Sequence, residues 1–220
     1  NGQLFHDAVV SGKTICGPVI ASAIEKALKM GESNACMKRI VAAPTAGACG
    51  VVPAVYLTLQ EQRHIDDEHM LEAMYIASGV GGVIANRAFL AGAAGGCQAE
   101  IGSASSMAAA GAVYLAGGDT EAIIHAAAMA MKNLLGLACD PVAGLVEVPC
   151  VKRNVVGAVN ALSAADMALA GVRSIIPPDE VFDAMRSVGI SLPEAIRETG
   201  KGGLAATTTG QKIAQGLQHE

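Results

Sequence analysis

Small residues are the feature of this sequence that most constrains its fold. Alanine occupies 42 and glycine 26 of the 220 positions, whereas aromatic residues make up only 3% and tryptophan is absent. Such small side chains favour helices that pack with their backbones close together. Residues typical of strands never alternate with polar ones for long. The sequence therefore predicts an all-α fold: one compact domain over residues 1–220, built of packed Ala- and Gly-rich helices joined by long structured loops.

Charge and composition exclude several classes of protein. Lysine and arginine total 15 against 20 aspartates and glutamates, and the basic pairs at 38–39 and 152–153 are isolated. This acidic balance argues against nucleic-acid binding. The hydrophobic fraction of 52% is too high for a disordered chain. The longest uncharged stretch, 101–118, contains small residues rather than leucine and isoleucine, so it is a poor membrane span. We expect a soluble protein.

Capping residues, prolines and glycines predict where the helices begin and end. Apolar residues at helical spacing start at Val19, and Gly31 is placed to end that helix. Ser191 and Glu194 have the spacing of a capping box, which predicts another helix start. The polar segment from about residue 207 is expected to be a tail. Further helices are predicted at 53–62, from the cap at 66–67 through 76, at 97–115, from the cap at 119–120 to about 135, at 155–170 and from Pro177.

The six cysteines are the main candidates for chemistry. No signal peptide is recognisable, so we expect a reducing cytoplasm, where cysteines are thiols or metal ligands. Cys97 follows a glycine pair at a predicted helix N-terminus, where the helix dipole stabilises a thiolate. Cys139 and Cys150 lie beside prolines, on rigid loops that could direct both sulfur atoms to a common centre. The remaining cysteines, Cys16, Cys36 and Cys49, are interpreted as buried apolar residues.

Spacing alone leaves the role of Cys97, Cys139 and Cys150 open. Their separations of 42 and 11 residues match neither a zinc ribbon nor a ferredoxin, and three buried apolar cysteines are the alternative. If three thiolates hold a 4Fe-4S cluster, one iron is free to bind a substrate oxygen as a Lewis acid. That iron could assist a hydroxyl leaving group while a base removes a proton from the neighbouring carbon.

Two further segments carry groups that could bind a carboxylate. The loop 44–50 is rich in glycine, and its backbone N–H groups and the Thr45 hydroxyl could cradle an anion, although a simple tight turn is the alternative. Arg153 could bind a substrate carboxylate with both ends of its guanidinium. The alternative for Arg153 is a solvated surface pair with Lys152.

Four segments together resemble the iron–sulfur L-serine dehydratase family, specifically its α chain or α domain. The resemblance covers nearly the whole chain, in order and without large gaps, and motifs of this length are specific. The segments are AAPTAGACG (42–50), GGCQAEIGSASSMAAAG (95–111), LACDPVAGLVEVPCVKRN (137–154) and ETGKGGLAATTTG (198–210).

The resemblance implies a lyase that deaminates L-serine to pyruvate and ammonia without pyridoxal phosphate, in amino-acid catabolism and gluconeogenesis. In this family the free iron binds the serine hydroxyl, a base takes the α-proton, and aminoacrylate leaves and hydrolyses. Thr45, Arg153 and Asn154 are the expected binding residues, with Lys201 in the Gly-rich loop as a further candidate. The implied ligands of the 4Fe-4S cluster are Cys97, Cys139 and Cys150.

The sequence also departs from the family. The SSSHT-type loop of the family's β domain is missing, so we expect the α chain of a two-chain enzyme, or an α domain of a longer protein, that works with a β subunit in an oligomer. Because the chain starts at Asn1, we expect an N-terminal truncation. Residues 218–220 lack the C-terminal cysteine that covers the fourth iron in some single-chain members. A related β-eliminase such as L-cysteine desulfidase and a non-catalytic helical interaction subunit are the alternatives.

Overall fold

The computed structural model describes residues 1–217, which form a helical domain, and the all-α prediction is confirmed. Within this range the strand-like pairing is limited to one isolated bridge between Cys139 and Arg197. No helix in the described range is long and apolar enough to cross a bilayer. The helices are α1 (Gly2–Val10), α2 (Pro18–Ala35), α3 (Val51–Arg63), α4 (Asp67–Arg87), the single turn α5 (Gly92–Gly95), α6 (Ser103–Leu115), α7 (Thr120–Lys132), α8 (Cys150–Leu169), α9 (Pro178–Ser191) and α10 (Thr208–Leu217).

Helix α6 is the centre of the fold. Its residues 103–113 are all buried, and it packs against α3, α4, α7 and α8. Two serine hydroxyls connect it to its neighbours: Ser105 Oγ donates to the Gly157 carbonyl of α8, and Ser106 Oγ donates to the Ala127 carbonyl of α7, both at 2.8 Å. These short side chains satisfy their own polar atoms while they allow the close helix packing that the composition predicted.

Gly111 is the tightest contact of this central helix. A Cβ atom at this position would lie 1.7 Å from the Tyr56 hydroxyl oxygen. Tyr56 is buried in α3, and its hydroxyl donates to the Ala73 carbonyl of α4 at 3.1 Å. Because Gly111 has no side chain, the Tyr56 hydroxyl fits against α6. Tyr56 thereby connects α3, α4 and α6.

We expect Gly111→Ala to lower the free energy of unfolding by about 3 kcal/mol, because the added methyl group forces Tyr56 to move and to lose its hydrogen bond. Urea unfolding followed by circular dichroism measures the change. Gly79→Ala is the matched control, since its Cβ would enter open space on α4 and should raise the stability by up to about 1 kcal/mol. Equal stabilities for the two variants would contradict this packing.

Helix α2 is longer and α8 begins earlier than predicted. Gly31 does not end α2, which continues to Ala35. Instead, Gly31 faces the backbone of Val151, and a Cβ there would lie 3.1 Å from the Val151 Cα. The missing side chain at Gly31 thus allows α2 and α8 to pack closely together. The start of α8 at Cys150 places Cys150 on a helix, so the predicted loop position was wrong.

The predicted capping box at Ser191 was also wrong. Ser191 ends α9, and its hydroxyl donates back to the Ser187 carbonyl at 2.9 Å. Only a single 3₁₀ turn, Glu194–Ile196, follows. The hydrogen bond of this serine belongs to the preceding helix, and only this short turn begins at Glu194.

The polar segment expected to be a tail contains a helix. Thr207 Oγ1 accepts a hydrogen bond from the Gly210 amide at 3.1 Å and caps α10 at its N-terminus. Gly210 is buried, and α10 packs against the turn Val142–Gly144. The last predicted tail residues, 218–220, lie outside the described range.

Candidate metal centre

Three of the predicted cysteines are buried at the ends of three different elements. Cys97 precedes the wide turn Gln98–Gly102 that leads into α6, Cys139 lies in the loop after α7, and Cys150 is the first residue of α8. Their exposed fractions are 1%, 2% and 7%. All are free thiols. The fold thus brings together residues that are far apart in the sequence.

Burial and neighbouring charges both change the pKa values of these thiols. Burial raises the pKa of Cys97 to about 12, with an opposing effect of Arg153 and a further increase from Cys150. Burial raises the pKa of Cys150 to about 11. Burial raises the pKa of Cys139 further still, and the negative charges of Cys97 and Glu100 add to this increase. Burial thus opposes the thiolate that the sequence predicts at Cys97 in the metal-free protein. Metal binding would displace these protons.

Backbone pairing holds Cys139 in place. Its amide donates to the Ile196 carbonyl at 2.8 Å, and its carbonyl accepts from the Glu198 amide at 2.7 Å. The loop 194–203, which the sequence marked only as Gly-rich, is thereby fixed beside the thiol. This pairing also brings the Glu198 side chain to the centre.

Three side chains pack against the backbone of Gly92 because this residue has no side chain. We call the position that a Cβ on Gly92 would occupy the Gly92 point. It lies 2.8 Å from Cys139 Sγ, 2.9 Å from Glu100 Oε2 and 3.3 Å from Glu198 Oε2. One thiol and two carboxylates thus face a common position that any residue other than glycine would fill.

The loop 44–50 does hold a carboxylate, and that carboxylate belongs to the protein. The Thr45 hydroxyl donates to Glu100 Oε1 at 2.7 Å. A Cβ on Gly47 would lie 3.1 Å and 3.2 Å from the two Glu100 oxygens. Glu100 therefore packs directly on the backbone of the loop, and burial raises its pKa.

Arg153 lies at the centre and is not a solvated surface residue. Its Nη2 pairs with Asp140 Oδ1 at 2.9 Å, and its Nη1 donates to the Ala138 carbonyl at 2.6 Å. The other carboxylate oxygen of Asp140 accepts from the Leu204 amide at 2.8 Å. Arg153 thus connects α8 to the loop of Cys139, and its charge lowers the pKa of Cys97.

Asn154 connects α8 to the loop 44–50. Both the oxygen and the nitrogen of its buried side-chain amide form hydrogen bonds. Oδ1 accepts from the Gly50 amide, and Nδ2 donates to the carbonyls of Gly47 and Cys150, all at 2.8 Å. This arrangement positions the Thr45 loop relative to Cys150. In the structure its side-chain donors and acceptor are engaged by the protein itself.

We expect Asn154→Ala to lower the free energy of unfolding by about 2–3 kcal/mol, since it leaves the buried Gly50 amide without an acceptor. Urea unfolding measures the loss. Gln62→Ala is the control, because Gln62 is exposed on α3 and its replacement should change the stability by less than about 0.5 kcal/mol. A neutral Asn154→Ala would contradict a positioning role.

The other candidates lie away from this centre. Lys201 is on the surface, with 69% of its side chain exposed, and pairs with Glu194 at 3.3 Å; its predicted role stays a prediction. Cys16 and Cys36 are exposed in turns, so their predicted burial was wrong. Cys49 is buried as predicted, and its Sγ donates to the Met30 carbonyl at 3.8 Å.

The donor set fits a cluster rather than a single ion. Among residues 1–217, no three His, Cys, Asp or Glu side chains are placed to hold one metal ion. A 4Fe-4S cluster makes a different demand, because each thiolate binds a different iron and the sulfur atoms need not converge on one point. Three buried free thiols at the ends of three different elements agree with that demand. Their role as ligands stays a prediction.

Sequence reasoning missed three acidic residues of this centre. Glu100 follows Cys97 by one helical turn, a spacing that could have revealed it, and Asp140 directly follows Cys139. Glu198 gives no signal of its own in the sequence, since the pairing of Arg197 with Cys139 is a long-range contact.

The chain matches the serine dehydratase alpha chain family over residues 2–205. It belongs to this family. Among its relatives, the probable L-serine dehydratase alpha chain of Bacillus subtilis is 56% identical over 92% of this chain and 68% of the relative. The L-serine dehydratase alpha chain of Peptoniphilus asaccharolyticus is 50% identical over 96% of this chain and 72% of the relative. The L-serine dehydratase TdcG of Escherichia coli is 42% identical over 81% of this chain and only 40% of its own length.

Proposed function

We propose that this chain is the catalytic α chain of an L-serine dehydratase that converts L-serine to pyruvate and ammonia with a 4Fe-4S cluster and without pyridoxal phosphate. Membership in the serine dehydratase alpha chain family supports the reaction. The observation that carries the proposal is that three thiols from distant parts of the sequence are buried and act on one another's pKa values, and that two carboxylates pack beside one of them.

In this proposal Cys97, Cys139 and Cys150 hold the cluster. When bound, the cluster supplies a Lewis-acidic iron that assists the departure of the serine hydroxyl group. The chain's own contribution is to exclude water, since all three thiols are buried, and to orient the substrate next to the Gly92 point.

Three side chains support orientation of the substrate. The guanidinium of Arg153 has five N–H donors, and its contacts to Asp140 and Ala138 leave others for a substrate carboxylate. Thr45 presents its hydroxyl beside Glu100. Asn154 acts as a positioning residue, because it holds the Thr45 loop against α8.

We also propose that a β chain completes the enzyme in the cytoplasm, within an oligomer. Two of the relatives described above are named as alpha chains. The Escherichia coli relative is much longer, since the match covers 40% of it. A catalytic unit made of this chain and further protein agrees with both observations.

Product analysis tests this proposal. The complex of this chain with its β chain, prepared without oxygen, should release pyruvate and ammonia from L-serine in equal amounts, and reagents that trap pyridoxal phosphate should not inhibit it. L-Cysteine is the control substrate. Sulfide release from cysteine without pyruvate from serine would indicate a desulfidase, and an iron-loaded complex without either product would indicate a non-catalytic subunit.

A further inference from the structure

Arg197 is a half-buried arginine whose Nε lacks a hydrogen-bond acceptor among the described residues. Three arginines in residues 1–217 are half-buried rather than exposed, namely Arg87, Arg153 and Arg197. Arg87 pairs with Asp183, and Arg153 pairs with Asp140. Within the same range Arg197 pairs with no carboxylate, and its Nε is buried without a hydrogen-bond partner. Arg197 is therefore the exception among the three.

The missing acceptor is unfavourable, because a buried donor loses its hydrogen bonds to water and gains none from the protein. Groups of this kind are rare in native proteins, and each needs a specific explanation. The exposed arginines, such as Arg39 and Arg186, differ in this respect, since water is available to their donors. An acceptor supplied by a bound ligand would remove the cost at Arg197.

Backbone pairing places Arg197 beside the candidate metal centre. The Cys139 amide donates to the Ile196 carbonyl, and the Cys139 carbonyl accepts from the Glu198 amide, so Arg197 faces Cys139 in a parallel bridge. Residues that face each other in a parallel pair have their side chains on the same side. The Arg197 side chain therefore leaves its loop on the same side as the Cys139 thiol.

Arg153, the other arginine of the centre, is already engaged by the protein. Its Nη2 pairs with Asp140, and its Nη1 donates to the Ala138 carbonyl. These two contacts fix α8 against the loop of Cys139, so they use the guanidinium of Arg153 for positioning. The guanidinium of Arg197 has no such contact within the described residues.

A carboxylate is the acceptor that best matches a guanidinium, because its two oxygens fit the planar fork of N–H donors. We propose that Arg197 binds the carboxylate of the amino-acid substrate, together with the remaining donors of Arg153. This inference rests on the proposed function, in which L-serine brings one carboxylate to the centre. Arg197 is thereby a substrate-binding residue that the sequence analysis did not select.

The test compares L-serine with L-serinamide, which keeps the hydroxyl and ammonium groups but has a neutral amide in place of the carboxylate. The probe is the anaerobic complex of this chain with its β chain. We expect Arg197→Gln to raise the KM for L-serine about 10- to 100-fold, the usual effect of losing a charge-assisted contact. The kcat should change much less, and the inhibition constant of L-serinamide should stay the same. Arg197→Lys keeps the charge but not the fork, so its KM should rise less.

Arg186→Gln is the matched control, since Arg186 is exposed on α9, and it should change neither constant. The visible absorbance of each variant reports its iron; if only Arg197→Gln loses iron, Arg197→Lys decides in the same way. An unchanged KM for L-serine in the iron-loaded variant would overturn the inference. Equal losses of affinity for both ligands, or loss of iron from both Arg197 variants, would assign a structural role and also overturn it. A wild-type complex that forms no pyruvate would reject the proposed function instead, so the two failures are distinguishable.

Discussion

Replacing Cys139 by serine is expected to remove iron and activity together. Cys139 is the cysteine whose thiol lies next to the Gly92 point and both carboxylates. Even residues that merely support a metal ligand cost about 10- to 100-fold in activity or metal affinity when they are changed. The loss of a ligand should therefore lower pyruvate formation by more than about 100-fold. Activity and the visible absorbance of the anaerobic complex measure the two effects.

Cys49→Ser is the control for this prediction. Cys49 is also a buried free thiol, and it lies near the C-terminal end of the loop 44–50. Its Sγ donates to the Met30 carbonyl. We expect the Cys49→Ser complex to keep its absorbance and most of its activity. If Cys139→Ser behaves like Cys49→Ser and loses only about 1–2 kcal/mol of stability, the cysteines are buried apolar residues and the chain is not a cluster protein.

A single methyl group at Gly92 is expected to have nearly as large an effect. In Gly92→Ala the new Cβ would lie under 3 Å from both Cys139 Sγ and Glu100 Oε2, a separation that requires one of them to move. Cys139 is a proposed ligand of the cluster, and Glu100 contacts the Thr45 loop that we propose for the substrate. We therefore expect at least about 100-fold lower kcat/KM, with an unchanged helical circular dichroism spectrum.

Gly82→Ala provides the comparison, because its Cβ would enter open space on the exposed side of α4. This variant should keep full activity and gain up to about 1 kcal/mol of stability, as is usual for glycine in a helix interior. Full activity in Gly92→Ala would show that the Gly92 point is not part of the working site.

The sequence predicted the helices well where a local signal marks their ends. Asp66 and Asp119 cap α4 and α7 as expected, since each carboxylate accepts from an amide three residues later. The predictions failed where a contact between distant elements decides the outcome. Gly31 lies inside α2 because Val151 packs on it, and Ser191 bonds backwards into α9. Neither contact has a signature within a few residues.

The residues of the candidate site were likewise predicted only in part from the sequence. The cysteines could be selected because they lie beside glycine and proline, and the family resemblance then grouped them. The cradle of the loop 44–50 was also predicted, but not its occupant, since Glu100 lies 55 positions from Thr45 in the sequence. Asn154 was predicted to bind substrate, whereas its three hydrogen bonds bind the protein's own backbone. Charge and motif identify such residues, but only the packing reveals what they contact.

The central claim is that this chain carries a 4Fe-4S cluster on three cysteines, and iron and acid-labile sulfide content test it most directly. The wild-type complex with the β chain is prepared anaerobically and analysed without prior activity measurements. The account predicts about four iron and about four sulfide per copy of this chain. Protein that stays free of iron after anaerobic reconstitution with iron and sulfide would contradict it.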